Sequence, residues 1–141
     1  MRRPFHLAFP VKSLEETRAF FHGVLGCPLG RESAAWIDFD FFGNQITAHL
    51  KPEDCTGEGA AAVDGDAVPV RHFGAILEWG EWERLAGALK GRNYPFAIAP
   101  KIRFKGKPGE QGTFFVRDPS GNALEFKTFK TPSQVFAREK A

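Results

Sequence analysis

The chain repeats itself, and this repeat is the feature that most limits what it can fold into. The segment "FHLAF" aligns with "RHFGA", and "DFDFFGNQIT" aligns with "VRDPSGNALE". Few architectures place a strand, a helix and three strands twice in a chain this short. The repeat therefore predicts two tandem modules in which equivalent residues occupy equivalent positions.

The predicted elements follow from apolar periodicity and from turn residues. In the first half, "FHLAFPV" reads as a strand, "SLEETRAFFHGVLG" as a helix opened by Ser13 and Glu16, and "AAWIDFDFFGNQITAHLKP" as two strands. In the second half, "VRHFGAILEW" reads as a strand, "EWERLAGALKGRN" as a helix, and "IAPKIRFKG", "TFFVRDPSG" and "NALEFKTF" as strands. We expect one domain with a first module over about 4–52, a linker over about 53–69, a second module over about 70–130 and a tail over 131–141.

Composition excludes several classes of protein. The apolar fraction is 43%, enough for a core, and the 19 basic and 17 acidic residues leave a formal charge of +2, too little for a nucleic-acid footprint. No stretch approaches the roughly 20 apolar residues of a membrane span. The two cysteines, Cys27 and Cys55, show neither Cys-x-x-Cys spacing nor a secretory framework, so we expect free thiols and a cytoplasmic location.

Three residues at repeat-matched positions suggest a metal site. His6 and His72 fall at the same point of the first strand of each half, and Glu125 falls on the last strand, where the first half has Thr47. A lone glutamate on an alternating strand is usually solvated. Two imidazoles and a carboxylate on one groove suit a divalent transition metal and leave positions for substrate and water. The alternative is a pocket that has lost its metal.

The paired modules, with a histidine on each first strand and "RDPSGNALEF" on the last hairpin, resemble the vicinal oxygen chelate superfamily. The resemblance covers Pro4 to about Phe129. It implies an α+β fold in which two tandem βαβββ modules form curled mixed sheets around a shared metal-binding groove. It also implies a small-molecule substrate and a homodimer, with His6, His72 and Glu125 as metal ligands, supplied within one chain or across the dimer.

Within that superfamily, three functions stay open. The two-histidine, one-carboxylate set favours an extradiol dioxygenase-like enzyme with Fe²⁺, while Mn²⁺, Zn²⁺, Ni²⁺ or Co²⁺ would also suit the ligands. A glyoxalase I-like isomerase or lyase is second, because such relatives commonly have a fourth ligand where Thr47 stands. A drug-binding or metabolite-binding protein is third, since bleomycin-binding relatives generally lack the metal ligands. Ala8 takes the place of a hydroxyl that fosfomycin thiol transferases use, which disfavours that activity.

Three further residues are candidates for catalysis or substrate binding. His49 shares a strand face with Thr47 and is a candidate acid or base, or else an ordinary surface histidine. Arg103 and Gln111, in the segment "KIRFKGKPGEQGTFF", would bind a substrate carboxylate or carbonyl at the mouth of the groove. The competing interpretation of this segment is a solvated hairpin face.

Overall fold

The computed structural model describes residues 2–55, 60–63 and 66–138. The strands and α-helices, in chain order, are β1 His6–Val11, α1 Leu14–Arg18, β2 Leu29–Glu32, β3 Trp36–Phe41, β4 Asn44–Leu50, β5 Ala60–Val63, β6 Asp66–Pro69, β7 His72–Ile76, α2 Trp79–Gly91, β8 Phe96–Arg103, β9 Gln111–Arg117 and β10 Ala123–Phe129. A π-helical turn spans Ala19–Val24, and 3₁₀ turns span Pro52–Asp54 and Pro132–Phe136. In the described part of the chain, no helix is long and apolar enough to cross a bilayer.

Two mixed sheets of four strands confirm the predicted repeat and the α+β class. Their strand orders are β1-β4-β3-β2 and β7-β10-β9-β8, and in each sheet the first strand of the module runs parallel to its last. The chain divides into two compact units, Met1–Gly57 with Asp118–Asn122, and Glu58–Arg117 with Ala123–Ala141.

The first helix begins as predicted but is wound differently. Ser13 caps it by accepting a hydrogen bond from the backbone N–H of Glu16 at 3.2 Å. After Arg18 the winding widens, and the Leu25 N–H donates to the carbonyl of Phe20, five residues back. Residues adjacent in an ordinary α-helix project about 100° apart. The wider turn accompanies burial of both Phe20 and Phe21 in the core of this unit.

Two short sheet elements were missed by periodicity. β2 is an exposed edge strand with the sequence "LGRE", which shows no apolar alternation. The segment predicted as a linker contains β5 and β6, which pair antiparallel with each other. Part of that linker, residues 56–59 and 64–65, and the last three residues of the predicted tail lie outside the described residues.

In the second unit, α2 packs on one face of β10, and this packing determines which side chains of β10 are buried against the helix. Trp82, on the buried face of α2, donates its indole N–H to the carbonyl of Phe126 at 2.9 Å, and its ring packs on Phe114. Leu124 and Phe126 are fully buried, as the alternation predicts. Because neighbouring residues of a strand face opposite sides, the side chain of Glu125 projects from the sheet face opposite α2.

The "DPSGN" turn between β9 and β10 is held by its own polar side chains. The buried carboxylate of Asp118 accepts hydrogen bonds from the backbone N–H groups of Ser120 and Asn122, at 3.0 and 2.8 Å. Burial raises the pKa of Asp118, and these hydrogen bonds act in the opposite direction. The Asn122 amide donates to the carbonyl of Pro10 at 2.9 Å, and the hydroxyl of Ser120 accepts from the N–H of Lys12 at 2.8 Å. Both bonds anchor the turn to the end of β1.

A buried hydroxyl gives a stability prediction. Thr128 is fully buried on the α2 side of β10, and its hydroxyl has no hydrogen-bond partner among the described residues. An unpaired buried polar group costs about 1–3 kcal/mol, so Thr128→Val should raise the free energy of unfolding by about 1 kcal/mol. The matched control is Thr113→Val on β9, which removes a hydroxyl that is bonded. Denaturant unfolding should show opposite signs for the two variants, and a destabilised Thr128→Val would contradict this prediction.

The cysteines are both free, as predicted, but their environments differ. Cys27 is 2% exposed, and burial raises the pKa of its thiol to about 12. Cys55 is partly exposed, and burial also raises the pKa of its thiol. Since the thiolate is the reactive form, native protein should present one fast and one slow thiol to a disulfide reagent at pH 8. Peptide mapping should assign the fast thiol to Cys55, and equal rates for both would contradict the burial of Cys27.

Candidate metal centre

The structure places His72 beside Glu125 on neighbouring strands. β7 and β10 run parallel, with His72 opposite Ala123 and Gly74 opposite Glu125. The imidazole Nε2 of His72 lies 3.2 Å from Oε1 of Glu125, and the histidine and glutamate side chains are 28% and 14% exposed. We call these two residues the His72–Glu125 pair.

The ring of His72 is oriented from its other nitrogen. Its Nδ1 lies 2.5 Å from the carbonyl oxygen of Pro69, at the end of β6. A carbonyl only accepts hydrogen bonds, so Nδ1 carries a proton, and Nε2 is the ring nitrogen that faces Glu125. The ring also packs edge-on against Phe115, with centroids 5.1 Å apart. A histidine that donates from one nitrogen to a carbonyl is the usual arrangement of a metal ligand.

The carboxylate of Glu125 is likewise held from one side. Thr113, on β9 and fully buried, donates its hydroxyl to Oε2 at 2.6 Å, which leaves Oε1 towards His72. Gly74 lets the two backbones meet, because a Cβ there would lie 1.5 Å from the carbonyl oxygen of Glu125. A glycine inside a strand often marks such a close approach. Neither Thr113 nor Gly74 was predicted as part of the site, although the repeat does align Gly74 with Ala8.

Arg103 and His72 both make hydrogen bonds to residues of β6. Arg103 is 3% exposed, and its guanidinium donates a hydrogen bond to Oδ2 of Asp66 at 2.9 Å. The same oxygen accepts a hydrogen bond from the ammonium of Lys101 at 2.9 Å. The hydrogen bond and charge of Lys101, together with Arg103, lower the pKa of Asp66. Because Asp66 and Pro69 belong to the same strand, the buried guanidinium anchors the segment whose carbonyl orients His72. The side chain of Gln111 donates to the carbonyl of Gly109 at 3.3 Å.

The first unit has the same register with different side chains. His6 is opposite Gln45, two residues before Thr47, as His72 is opposite Ala123, two residues before Glu125. The repeat-derived equivalence of these positions is thus confirmed by strand pairing. His6 and His49 are exposed.

The side chain of Thr47 is hydrogen-bonded to a carboxylate, Asp38, that was not predicted as part of the site. The hydroxyl of Thr47 donates to Oδ1 of Asp38 on β3 at 2.6 Å, and Asp38 is 8% exposed. The alternation of Trp36, Asp38 and Asp40 was visible in the sequence, but the partner strand's register was not. Among residues 2–55, 60–63 and 66–138, no group of three or more histidine, cysteine, aspartate or glutamate side chains comes together in a way that could hold a metal ion.

Comparison with solved structures gives the same architecture. A protein from Alicyclobacillus acidocaldarius, described as a glyoxalase/bleomycin resistance protein/dioxygenase, is 34% identical, with 96% of this chain and 97% of that chain covered and a TM-score of 0.76. The fosfomycin resistance protein FosX from Listeria monocytogenes is 15% identical, with 96% and 99% covered and a TM-score of 0.68. A lactoylglutathione lyase from Agrobacterium tumefaciens is 13% identical, with 97% and 98% covered and a TM-score of 0.64. The last two likenesses show the fold alone.

The fold and the His72–Glu125 pair define a two-module α+β protein with a candidate metal-ligating face on its second sheet. The family model of the Glyoxalase/Bleomycin resistance protein/Dioxygenase superfamily matches residues 3–126. The chain belongs to this superfamily, as the predicted resemblance implied. No match was found among curated proteins.

Proposed function

We propose that this chain is a metal-dependent enzyme whose metal is bound by His72 and Glu125, with His6 as the third protein ligand. One observation carries the proposal: Nε2 of His72 and Oε1 of Glu125 lie 3.2 Å apart. With Nδ1 donating to Pro69, Nε2 is the ring nitrogen left for a metal, and it faces a carboxylate oxygen. Two ligands of one metal, each about 2.0–2.2 Å from it, are separated by about 3 Å when they meet near a right angle.

The donor set fits a divalent transition metal. Imidazole nitrogen with carboxylate oxygen suits Fe²⁺, Mn²⁺, Co²⁺, Ni²⁺ or Zn²⁺, and an open two-histidine, one-carboxylate face is typical of non-haem Fe²⁺ sites. Pro69 and Thr113 supply the outer hydrogen bonds that orient such ligands. His6 comes from the superfamily resemblance and from its matched register, within one chain or from a partner subunit. Fe²⁺ is our first choice of metal.

The proposed substrate is a small molecule with two adjacent oxygens. A bound metal would act there as a Lewis acid that stabilises negative charge developing on those oxygens. The protein orients the site through Thr113 on Glu125 and Pro69 on His72. Arg103 acts in this scheme as a positioning residue through Asp66, Gln111 as a substrate contact, and His49 as the group that accepts or donates a proton.

Extradiol dioxygenase-like cleavage is the reaction we propose first. It matches a set of two histidines and one carboxylate, and it requires an acid or base near the substrate because a catechol loses protons as it binds a metal. A tyrosine hydroxyl could also take this role, but the one tyrosine of the sequence, Tyr94, already donates its hydroxyl to the carbonyl of Arg117. That bond leaves His49 as the favoured proton carrier.

A glyoxalase I-like isomerase or lyase is the second candidate, and one contact favours it. Glyoxalase I-like relatives commonly supply a fourth ligand from the position of Thr47, and here Asp38 brings a carboxylate oxygen within 2.6 Å of that hydroxyl. A ligand-binding protein without catalysis is the third. The retained His72–Glu125 pair argues against it, because bleomycin-binding relatives generally lack the metal ligands.

Oxygen consumption separates these reactions. Metal-free protein loaded anaerobically with Fe²⁺ should consume oxygen with at least one member of a catechol panel, and the same protein loaded with Zn²⁺ should not. Product formation from α-hydroxycarbonyl compounds without oxygen uptake would instead support the isomerase or lyase. Turnover of neither panel by protein that retains its metal would contradict the enzymatic proposal.

We also propose a cytoplasmic homodimer. The superfamily resemblance implies the dimer, and Val70 and Ile76 of the second unit, 59% and 53% exposed, are apolar side chains that an interface would bury. The two free cysteines support a reducing compartment. Light scattering during gel filtration should give a mass near twice 15.7 kDa, and a mass near 15.7 kDa would contradict the dimer.

A further inference from the structure

A cavity of about 340 Å³ lies in the second unit, next to the His72–Glu125 pair along the strands. It is an open pocket lined by the connection between β8 and β9, the last residues of β10 and the 3₁₀ turn Pro132–Phe136. Its volume falls within the roughly 300–1,000 Å³ of small-molecule pockets. The side chains that matter here are Phe104, Gln111, Lys127, Phe129, Gln134 and Val135.

Two lysines line the cavity, and the more buried of them, Lys127, has no acidic partner among the residues that the structure describes. Lys127 is partly buried on β10, and its ammonium lies 5.5 Å from the ring centroid of Phe129. No carboxylate of the described residues pairs with it, and none lines the cavity. By contrast, Lys101 pairs with Asp66, and Lys130 lies 3.8 Å from Glu110. A half-buried ammonium beside neutral groups favours the entry of an anion.

Strand register connects this cavity to the candidate metal centre. Lys127 follows Glu125 by two residues, so their side chains leave the same face of β10 with Cα atoms about 7 Å apart. Thr113, which holds Glu125, is opposite Lys127, and Gln111 is opposite Phe129. The cavity and the His72–Glu125 pair therefore occupy one continuous face of β9 and β10.

We propose that this cavity binds the carboxylate end of a small organic acid with an apolar body. The ammonium of Lys127 pairs with the carboxylate, the amides of Gln111 and Gln134 bond its oxygens, and Phe104, Phe129 and Val135 contact the apolar part. The lining also includes Lys107, which is exposed, so Lys127 is the half-buried ammonium of the cavity. The lining offers neither an arginine fork nor a helix N-terminus, which a phosphate dianion generally takes, and a single carboxylate is therefore the expected anion. This inference rests on the proposed function in one respect, that the bound acid is the substrate and extends its adjacent oxygens towards Glu125.

The test is binding of 3-phenylpropionate to the metal-free full chain, followed by calorimetry and by chemical shifts. We expect binding of the acid, at least tenfold weaker binding of 3-phenylpropionamide, and at least a tenfold loss of affinity in Lys127→Gln. Lys127→Arg keeps the charge and should stay within about threefold of the parent. Lys105→Gln, at an exposed lysine that does not line the cavity, should leave the affinity unchanged.

Three results would overturn the proposal. They are equal binding of the amide, unchanged affinity in Lys127→Gln, and tighter binding of phenyl phosphate than of the acid. Because no metal is present, failure of this test leaves the metal proposal standing. Absence of metal binding would likewise leave the carboxylate result intact, so the two failures are distinguishable.

Discussion

Glu125→Gln is expected to lower the affinity of the chain for Fe²⁺ or Co²⁺ by at least about a hundredfold while the fold is retained. Glutamine has the same shape, and its amide oxygen still accepts the hydroxyl of Thr113. The change removes the negative charge and turns an NH₂ group towards Nε2 of His72, where a metal would be bound. Competition with a chromophoric chelator measures the affinity, and circular dichroism checks the fold.

Matched variants separate loss of a ligand from general damage. His72→Ala should lower the metal affinity at least as much as Glu125→Gln does. Glu83→Gln and His22→Asn change an exposed glutamate and an exposed histidine on helical segments and should leave the metal affinity unchanged. Thr113→Val leaves both ligands in place but frees the carboxylate, so its loss should be smaller, about 10–100-fold. Unchanged metal affinity in Glu125→Gln would exclude this carboxylate as a ligand.

Gly74→Ala adds one methyl group and is expected to lower the free energy of unfolding by about 3–5 kcal/mol, more than the same change elsewhere in the second sheet. The added Cβ would lie 1.5 Å from the carbonyl oxygen and 2.6 Å from the carbonyl carbon of Glu125, and these are backbone atoms. No rotamer change relieves the contact, so β7 has to separate from β10. Denaturant unfolding should show the loss, and metal affinity should fall with it because His72 moves away from Glu125.

The control for this variant is another glycine of the same unit. Gly87 is exposed in the middle of α2, and an added Cβ meets nothing within 4 Å. Gly87→Ala should therefore stabilise the protein by about 0.5–1 kcal/mol, since alanine favours the helix. If Gly74→Ala were as stable as the parent, the parallel register that brings Glu125 to His72 would be wrong.

The repeat made the register of both sheets predictable from the sequence. Aligning "GNQIT" with "GNALE" assigns Thr47 and Glu125 to one position, and strand pairing confirms it. The burial of Leu124 and Phe126 followed from alternation alone. These features could be predicted because each depends on local patterns that the chain contains twice.

The contacts that orient the site depend on partners distant in sequence. Thr113 meets Glu125 only through the β9–β10 register, and Arg103 meets Asp66 from 37 residues away. Asp66 lies in a segment whose small residues read as a linker, so Arg103 was predicted to face substrate. The wide turn at Ala19–Val24 and the edge strand β2 were missed because tertiary packing, and not local periodicity, selects them.

The most direct test of the metal proposal is anomalous diffraction from crystals of the protein loaded with Co²⁺ or Fe²⁺, recorded on both sides of the metal edge. We predict one strong peak per chain, about 2.0–2.2 Å from Nε2 of His72 and from Oε1 of Glu125, with a nitrogen of His6 as the third protein ligand. A metal found elsewhere, or no metal between His72 and Glu125 at full loading, would contradict the proposed metal site.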